Sequence, residues 1–361
     1  MRVAQLNFHR DAAGRAPAEL LAAWPTLGQL ARSAALGGAQ VRVLQASGHR
    51  AILADSGVEY RFGPLDGSRL QAAIADAEIL HVHGLGFGRE LRDLAAVGAG
   101  RPIVLQDHAD RPPKLWRRWH WRRSAQAARG VIFCSREQAL PFTQRRLLAP
   151  QTRIYELPES SSAFQTQPRE EARRATGLHG APALLWVAHL DANKDPLTML
   201  DALALAAPHL PDAQLWCCYG KAPLMAALQQ RVAGDPRLAG RVHLLGRQPH
   251  ERIETLMSAA DLLVQASHRE STGYSLIEAL ACGLPPVVTG IPSFRAVLGD
   301  GNDLPGLSPV ADAPALAAAL LAAWARPQPA LRAAARARFD EALSPSALGR
   351  RLVDVYRDLL S

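Results

Sequence analysis

The stretch His268–Gly299, HRESTGYSLIEALACGLPPVVTGIPSFRAVLG, decides how the chain is read. An apolar run, DLLVQAS (Asp261–Ser267), precedes it, and PPVVT (Pro285–Thr289) lies within it. The pattern predicts strand, polar loop, helix and strand in succession. Glu270 falls in the polar loop, and Glu278 follows eight residues later on the helix. A helix start after a strand presents unpaired N–H groups and the positive end of the helix dipole, an arrangement that suits phosphate. Carboxylates beside that anion can accept from hydroxyl groups, and a sugar nucleotide has both. Ser275-Leu276-Ile277-Glu278 also spells a capping box, S-x-x-E, in which Glu278 would only close the helix. For Glu270 the plain alternative is a solvated loop carboxylate.

Glu270, Gly273, Glu278, Ala279, Ala281, Gly283 and Pro285 stand in the order and spacing of a known pattern. They resemble the E-x7-E signature of retaining glycosyltransferases of the GT-B fold, family 4 (glycosyl transferases group 1). The resemblance implies that Glu270 contacts the donor sugar and Glu278 the nucleotide ribose. Ser271, Thr272, Gly273, Tyr274, Ser275 and Leu276 would then surround the diphosphate.

A second patch, Ala188-His189-Leu190-Asp191-Ala192-Asn193-Lys194-Asp195, resembles the family's G-R-L-x-x-x-K, whose Arg and Lys neutralise the departing diphosphate. Lys194 falls on the lysine, while His189 replaces the arginine and Ala188 the glycine. Histidine can donate to a phosphate oxygen but lacks arginine's fork, and its charge depends on its surroundings. Without the resemblance, Lys194 reads as an exposed loop lysine between two aspartates. The similarity runs from Trp186 to about Ser308, and it places Arg247 and Gln248, after the strand-like VHLLG, near the base.

The chain has 361 residues, 48% of them hydrophobic and 20% charged, which favours two globular domains over one. Its four cysteines, Cys134, Cys217, Cys218 and Cys282, lie in apolar runs without metal-ligand spacing or a disulfide framework. They read as reduced core residues of a cytoplasmic protein. MRVAQLNFH meets polar residues too soon for a secretory signal, and no apolar run reaches the length of a membrane span. The expectation is a soluble protein, or one peripheral on the inner face of the cytoplasmic membrane. The net charge of +8 calls for an acidic partner: a phosphorylated substrate, an anionic membrane or a nucleic acid. Only three of the 41 basic residues are lysine: Lys114, Lys194 and Lys221.

Strand-like and helix-like pieces alternate through the first half. RVAQLNF, Val41–Ser47, Ile79–Val82, Pro102–Leu105 and Val131–Cys134 are the strand candidates, and one helix is expected around Ala18–Ala35. Pro158–Pro168 reads as a linker, after which alternation resumes with ALLWVAHL, AQLWCCYG, VHLLG, DLLVQAS and PPVVT. This predicts an α/β chain with parallel sheets covered on both faces. From Ala313 the chain is helical, and Leu348, Leu352, Val355, Tyr356, Leu359 and Leu360 form one apolar face. With the resemblance, the expected architecture is GT-B: two Rossmann-like domains facing across a cleft, with the last helix crossing back to the first domain. The expected bounds are 1–160 for the acceptor domain, 161–343 for the nucleotide-sugar domain and 344–361 for the returning helix.

The first domain says less about chemistry. DAEILHVHG (Asp76–Gly84) and VLQDHAD (Val104–Asp110) resemble the family's two histidine-bearing strand ends. His108 matches the histidine that reaches the donor sugar, and His83 is read as structural. Ser135 matches a family serine and equally suits a helix N-cap. The family's glycine-rich loop after the first strand is reduced here to NFHRDAAGRAP, with only Gly14. KLWRRWHWRR (Lys114–Arg123) interleaves arginine and tryptophan. It suits an anionic membrane or a glycan acceptor, or else a helix packed by its tryptophans. If helical, it places Trp116 and Trp119 on one side and Trp121 elsewhere.

The expected reaction moves a hexose-type sugar from a nucleotide diphosphate sugar to a hydroxyl of a cell-surface glycan, lipopolysaccharide or lipid-linked acceptor, with retention. Neither a cofactor nor a metal is expected, and no D-x-D motif is present. A GT-B nucleotide-sugar epimerase is the nearest alternative enzyme. A non-catalytic basic protein for nucleic acid or anionic membrane would explain the charge but leave E-x7-E idle, so nucleic acid is disfavoured as partner. A glycoside hydrolase could use Glu270 and Glu278 as its carboxylate pair but leaves Lys194 unexplained. A nicotinamide enzyme would need G-x-G-x-x-G, which neither half contains.

Overall fold

The computed structural model describes residues 1–108, 110–299, 304 and 306–361. Its chain divides into two compact units: Met1–Ser161 with Pro345–Ser361, and Ser162–Ser344. The helix boundary the sequence placed at Ala18–Ala35 is in fact broken. Pro25 has no N–H to continue the first helix and instead opens a second one at its first position.

In the first unit the order is β1 (Arg2–Asn7), α1 (Pro17–Ala23), α2 (Pro25–Leu36), β2 (Gln40–Ala46), β3 (Ala51–Asp55), β4 (Val58–Gly63), α3 (Gly67–Ala73) and β5 (Ile79–His83). There follow α4 (Gly88–Val97), β6 (Ile103–Gln106), α5 (Arg118–Ala125), β7 (Ala128–Phe133), α6 (Arg136–Thr143) and β8 (Arg153–Glu156). The sheet order is β3-β4-β2-β1-β5-β6-β7-β8. Every pairing is parallel except β3 with β4. That edge hairpin was not expected from the sequence. Ser56 and Gly57 both have positive φ, 50° and 78°, as a tight two-residue hairpin turn requires.

The second unit runs α7 (Arg169–Thr176), β9 (Ala183–Val187), α8 (Pro196–Ala206), β10 (Gln214–Cys218), α9 (Met225–Ala233), β11 (Val242–Gly246) and α10 (His250–Ala259). It continues with β12 (Leu262–Gln265), α11 (Tyr274–Ala281), β13 (Pro286–Thr289), α12 (Pro292–Leu298), β14 (Leu307–Ser308), α13 (Ala313–Trp324) and α14 (Gln328–Arg338). The sheet order is β11-β10-β9-β12-β13-β14, all parallel. Strands β9, β12 and β13 are buried along nearly their whole length, as strands covered on both faces must be.

The last helix, α15 (Pro345–Leu360), returns to the first unit and packs on α2. Gly37 and Gly349 make that approach possible. A Cβ on Gly349 would sit 1.9 Å from the Ser33 carbonyl oxygen, and one on Gly37 would sit 2.3 Å from that of Gly349. Leu348, Leu352, Val355, Tyr356 and Leu359 are buried as the apolar spacing required, but Leu360, the last residue of the helix, is exposed. All four cysteines are buried and free.

Candidate active site

In the second unit the chain winds outward from β9 through β10 to β11, then returns to β12 beside β9. Loops leaving the C-terminal ends of β9 and β12 therefore part in opposite directions and open a crevice, the usual ligand position in such sheets. Lys194 sits in the loop after β9 and Glu270 in the loop after β12. The Lys194 ammonium donates to Glu270, whose Oε1 also accepts from Ser267 Oγ at 2.7 Å. The two loops are stitched further by His268 N to Asn193 O (2.7 Å) and by Asn193 Nδ2 to Arg269 O (3.0 Å). Both charged side chains are largely shielded from solvent. Neither the exposed loop lysine nor the solvated loop carboxylate describes them.

Ser271 and Thr272 lead to Gly273, which caps α11 with φ 90°. A Cβ there would lie 2.4 Å from the Phe294 ring, so only glycine fits. Tyr274, Ser275 and Leu276 form the first turn, where helix N–H groups lack intrahelical carbonyls. The capping-box reading fails, because Ser275 lies inside the helix and its Oγ bonds Gln265 Nε2 at 2.5 Å. Glu278 is 5% exposed, and its Oε1 accepts from His250 Nε2 at 2.7 Å. His250 opens α10 and rests against the Phe164 ring. Burial lifts the Glu278 carboxyl above its usual range, with the His250 bond pulling the other way. The same bond outweighs burial at His250 and raises its basicity.

Beside this crevice lies a cavity of about 320 Å³ whose lining includes His189, Lys194, Tyr219, Gly220, Arg247 and Gln248. His189 Nδ1 accepts from Lys221 N at 3.2 Å, so a neutral ring carries its proton on Nε2 and can donate from there. Among the described residues, no three His, Cys, Asp or Glu side chains cluster as metal ligands.

The first unit repeats the topological device. Its sheet reverses between β1 and β5, and the loops after both strands line a cavity of about 270 Å³. Asn7, Trp24, His83, Phe87, His108 and Asp110 line it. His108 donates from Nδ1 to Glu159, and its Nε2 lies 3.2 Å from His83 Nδ1.

Comparisons with known proteins show what the second unit resembles. The family described as "Glycosyl transferases group 1" matches residues 181–326. The GDP-mannose:cellobiosyl-diphosphopolyprenol alpha-mannosyltransferase of Xanthomonas campestris is 26% identical, over 62% of this chain and 58% of its own length. The likeness to group 1 glycosyltransferases is thus carried by residues 181–326, all within this unit. The alpha-D-kanosaminyltransferase of Streptomyces kanamyceticus is also 26% identical, over 65% of this chain and 64% of its own. The matches thus cover less than two thirds of these relatives. The crystal structure of Anabaena Alr3699/HepE in complex with UDP superposes with a TM-score of 0.71 at 17% identity, covering 99% of this chain and all of that one. That likeness shows the fold, a GT-B pairing of two Rossmann-like units.

The second unit joins Glu270 directly to Lys194, and Lys194 shares a cavity with His189 and Arg247. Ser271–Leu276 lie at the α11 start, and Glu278 sits on the same helix bonded to His250. His108 stands in the other unit. Ser135 is a helix N-cap: its Oγ accepts from Gln138 N at 3.2 Å, and its own N–H donates to Gln138 Oε1 at 3.0 Å. His83, read from the sequence as structural, is buried yet lines the cavity and touches His108. His250 and Glu159 were missed altogether. Neither stands in a motif, and each is known only by the partner it meets through the fold.

The Trp/Arg segment forms a single 3-10 turn, Leu115–Arg117, running into α5. Trp121 packs inward, donating from Nε1 to Leu85 O at 2.9 Å. Trp116 and Trp119 are 70% and 64% exposed, and Leu115 is exposed with them. Arg117 lies over the Trp116 ring at 4.8 Å and Arg123 over Trp119 at 5.7 Å. The division the sequence suggested therefore holds, with Trp116 and Trp119 outward and Trp121 packed inward.

Proposed function

We propose that the chain is a retaining glycosyltransferase that moves a sugar from a nucleotide diphosphate sugar to a hydroxyl acceptor. No metal takes part in this reading. The observation that carries it is the Lys194–Glu270 pair across the β9/β12 crevice, beside the start of α11. Negative charge builds on the diphosphate as the glycosidic bond breaks. Lys194, His189 and the α11 N–H groups stabilise that charge without having to reorganise. Glu270, held by a cation, accepts from donor sugar hydroxyls, and Glu278 accepts from the ribose, exchanging the His250 bond for a substrate hydroxyl. Arg247 stands toward the base. A hydrolase would need one carboxylic acid and one free carboxylate flanking the bond. Here one carboxylate is ion-paired with Lys194 and the other is buried against His250, which speaks against that chemistry.

His108 keeps the reading its match implies, a residue that meets the transferred sugar, and the first unit's cavity serves the acceptor side. The printed name of the Xanthomonas relative gives it a diphosphopolyprenol-linked acceptor, which supports a lipid-linked acceptor here. Proton NMR of the reaction should show transfer products whose anomeric configuration matches that of the donor. An inverted anomeric centre would refute retention, and an epimerised donor formed without acceptor would refute transfer.

Among the described residues no helix is long and apolar enough to cross a membrane. The exposed Leu115, Trp116 and Trp119, ringed by Lys114 and Arg117–Arg123, support docking at the inner face of the cytoplasmic membrane. Indole rings settle at the headgroup level, and each basic residue near anionic lipid contributes about 1 kcal/mol. Vesicles containing anionic lipid should sediment the protein, and Trp116→Ala with Trp119→Ala should release it. Equal binding to neutral vesicles, or no effect of the double substitution, would contradict this docking.

A further inference from the structure

A buried chain of side chains runs inward from His108. His83 Nε2 lies 3.4 Å from Gln5 Oε1, and Gln5 Nε2 lies 3.3 Å from the Tyr356 hydroxyl. That hydroxyl in turn lies 2.8 Å from His81 Nδ1. With the Glu159–His108 and His108–His83 contacts, six side chains from β1, β5, α15 and two loops form one path. The three imidazoles stack in order, with centroids 4.9 Å apart for His81–His83 and 5.4 Å for His83–His108. Gln5, His81, His83 and Tyr356 are all buried.

The inner rings are held neutral. Burial, with the nearby His108, pushes His81 down to about 3, and burial with both neighbouring imidazoles holds His83 well below its ordinary value. His108 behaves oppositely: burial opposes its charge, but Glu159, aided by Asp110 and Asp107, outweighs that and raises it. Asp107 itself is lifted by burial to about 7. A proton taken up along this path therefore rests on His108.

Apart from His81 Nε2, which is buried without a partner at the inner end, donors and acceptors along the path are satisfied in two ways. With His108 charged, its Nε2–H donates to His83 Nδ1, and His83 Nε2–H donates to Gln5 Oε1. The Gln5 amide then donates to Tyr356, whose hydroxyl donates to His81 Nδ1. With His108 neutral, every one of these bonds reverses once the Gln5 amide turns over. His81 Nδ1–H donates to Tyr356, Tyr356 to Gln5, Gln5 to His83 Nε2, and His83 Nδ1–H to His108. In both, His108 Nδ1–H donates to Glu159. The two arrangements differ by one proton exchanged with solvent.

We propose that Glu159, His83, Gln5 and Tyr356 are positioning residues for His108, forming a hydrogen-bonded chain that reverses direction when His108 gains or loses one proton. It ties the protonation of the first unit's cavity to the C-terminal helix. Its bearing on catalysis rests on the reading of His108 as a residue that meets the sugar.

Nitrogen NMR of the histidine-labelled full chain, without donor or acceptor, reads each ring's tautomer against pH. As His108 loses its proton, His83 and His81 are expected to pass from Nε2–H to Nδ1–H with the same midpoint. Glu159→Gln should lower that midpoint by about one pH unit or more. Tyr356→Phe should leave His83 titrating while His81 no longer follows. Should that variant fold poorly, the wild-type titration decides alone. A His83 tautomer that stays fixed through the His108 titration overturns the proposal, as does a midpoint indifferent to Glu159→Gln. A switching chain in a protein without transfer activity would support the proposal and refute only the enzymatic reading.

Discussion

Lys194→Ala is expected to lower kcat for sugar transfer by about 10²–10³-fold, the usual cost of removing one group aimed at charge that develops in the transition state. The ammonium is engaged by Glu270, and both side chains are largely out of bulk water. An arriving diphosphate competes for that cation, so part of its attraction goes into loosening an existing pair. As the leaving group separates, its charge grows and the balance moves further toward the phosphate. The interaction is therefore stronger in the transition state than in the ground state, and its loss falls on kcat more than on KM. Truncation also removes one partner of the largely shielded Glu270 carboxylate, at a cost in stability. Thermal unfolding of the variant separates that structural cost from the catalytic one. A folded Lys194→Ala protein with unchanged kcat would remove Lys194 from the mechanism.

Glu278→Ala is expected to weaken donor binding by about 10–100-fold, since a charge-assisted hydrogen bond contributes about 1.5–3 kcal/mol. The carboxylate is buried and already has one partner, His250, so a structural explanation has to be separated from a binding one. His250→Ala makes the separation. It removes the same internal bond but leaves the carboxylate to the ribose, and donor affinity should change little. If His250→Ala weakens the donor as much as Glu278→Ala does, the pair serves α10 and α11 rather than the nucleotide.

What could be read from the sequence follows from how local the signals are. Most of the parallel strands announced themselves as apolar runs, because burial on both faces leaves no polar alternation to misread. By contrast β4, β8 and the two-residue β14, parallel as well, carry no such run and were not expected. The α11 start was legible because Glu270, Gly273 and Glu278 lie within nine residues of one another, on one loop and one helix. Ser275 misled as a cap because the pattern S-x-x-E carries no record of Gly273, whose positive φ starts the helix two residues earlier. The single helix expected at Ala18–Ala35 overlooked Pro25, and the β3–β4 hairpin was overlooked although Ser56-Gly57 marked its turn. His108–Glu159 and Gln5–Tyr356 join residues 51 and 351 positions apart, pairings that only the folded sheet creates.

The most direct test of the donor site is a calorimetric titration of UDP-, GDP-, ADP-, dTDP- and CMP-sugars into the wild type, Lys194→Ala and Glu278→Ala. One of the four diphosphate donors should bind selectively, both substitutions should weaken it, and the CMP-sugar, with a single phosphate, should bind poorly. No binding by any donor at millimolar concentration, or equal binding by all three proteins, would contradict a nucleotide-sugar site at the start of α11.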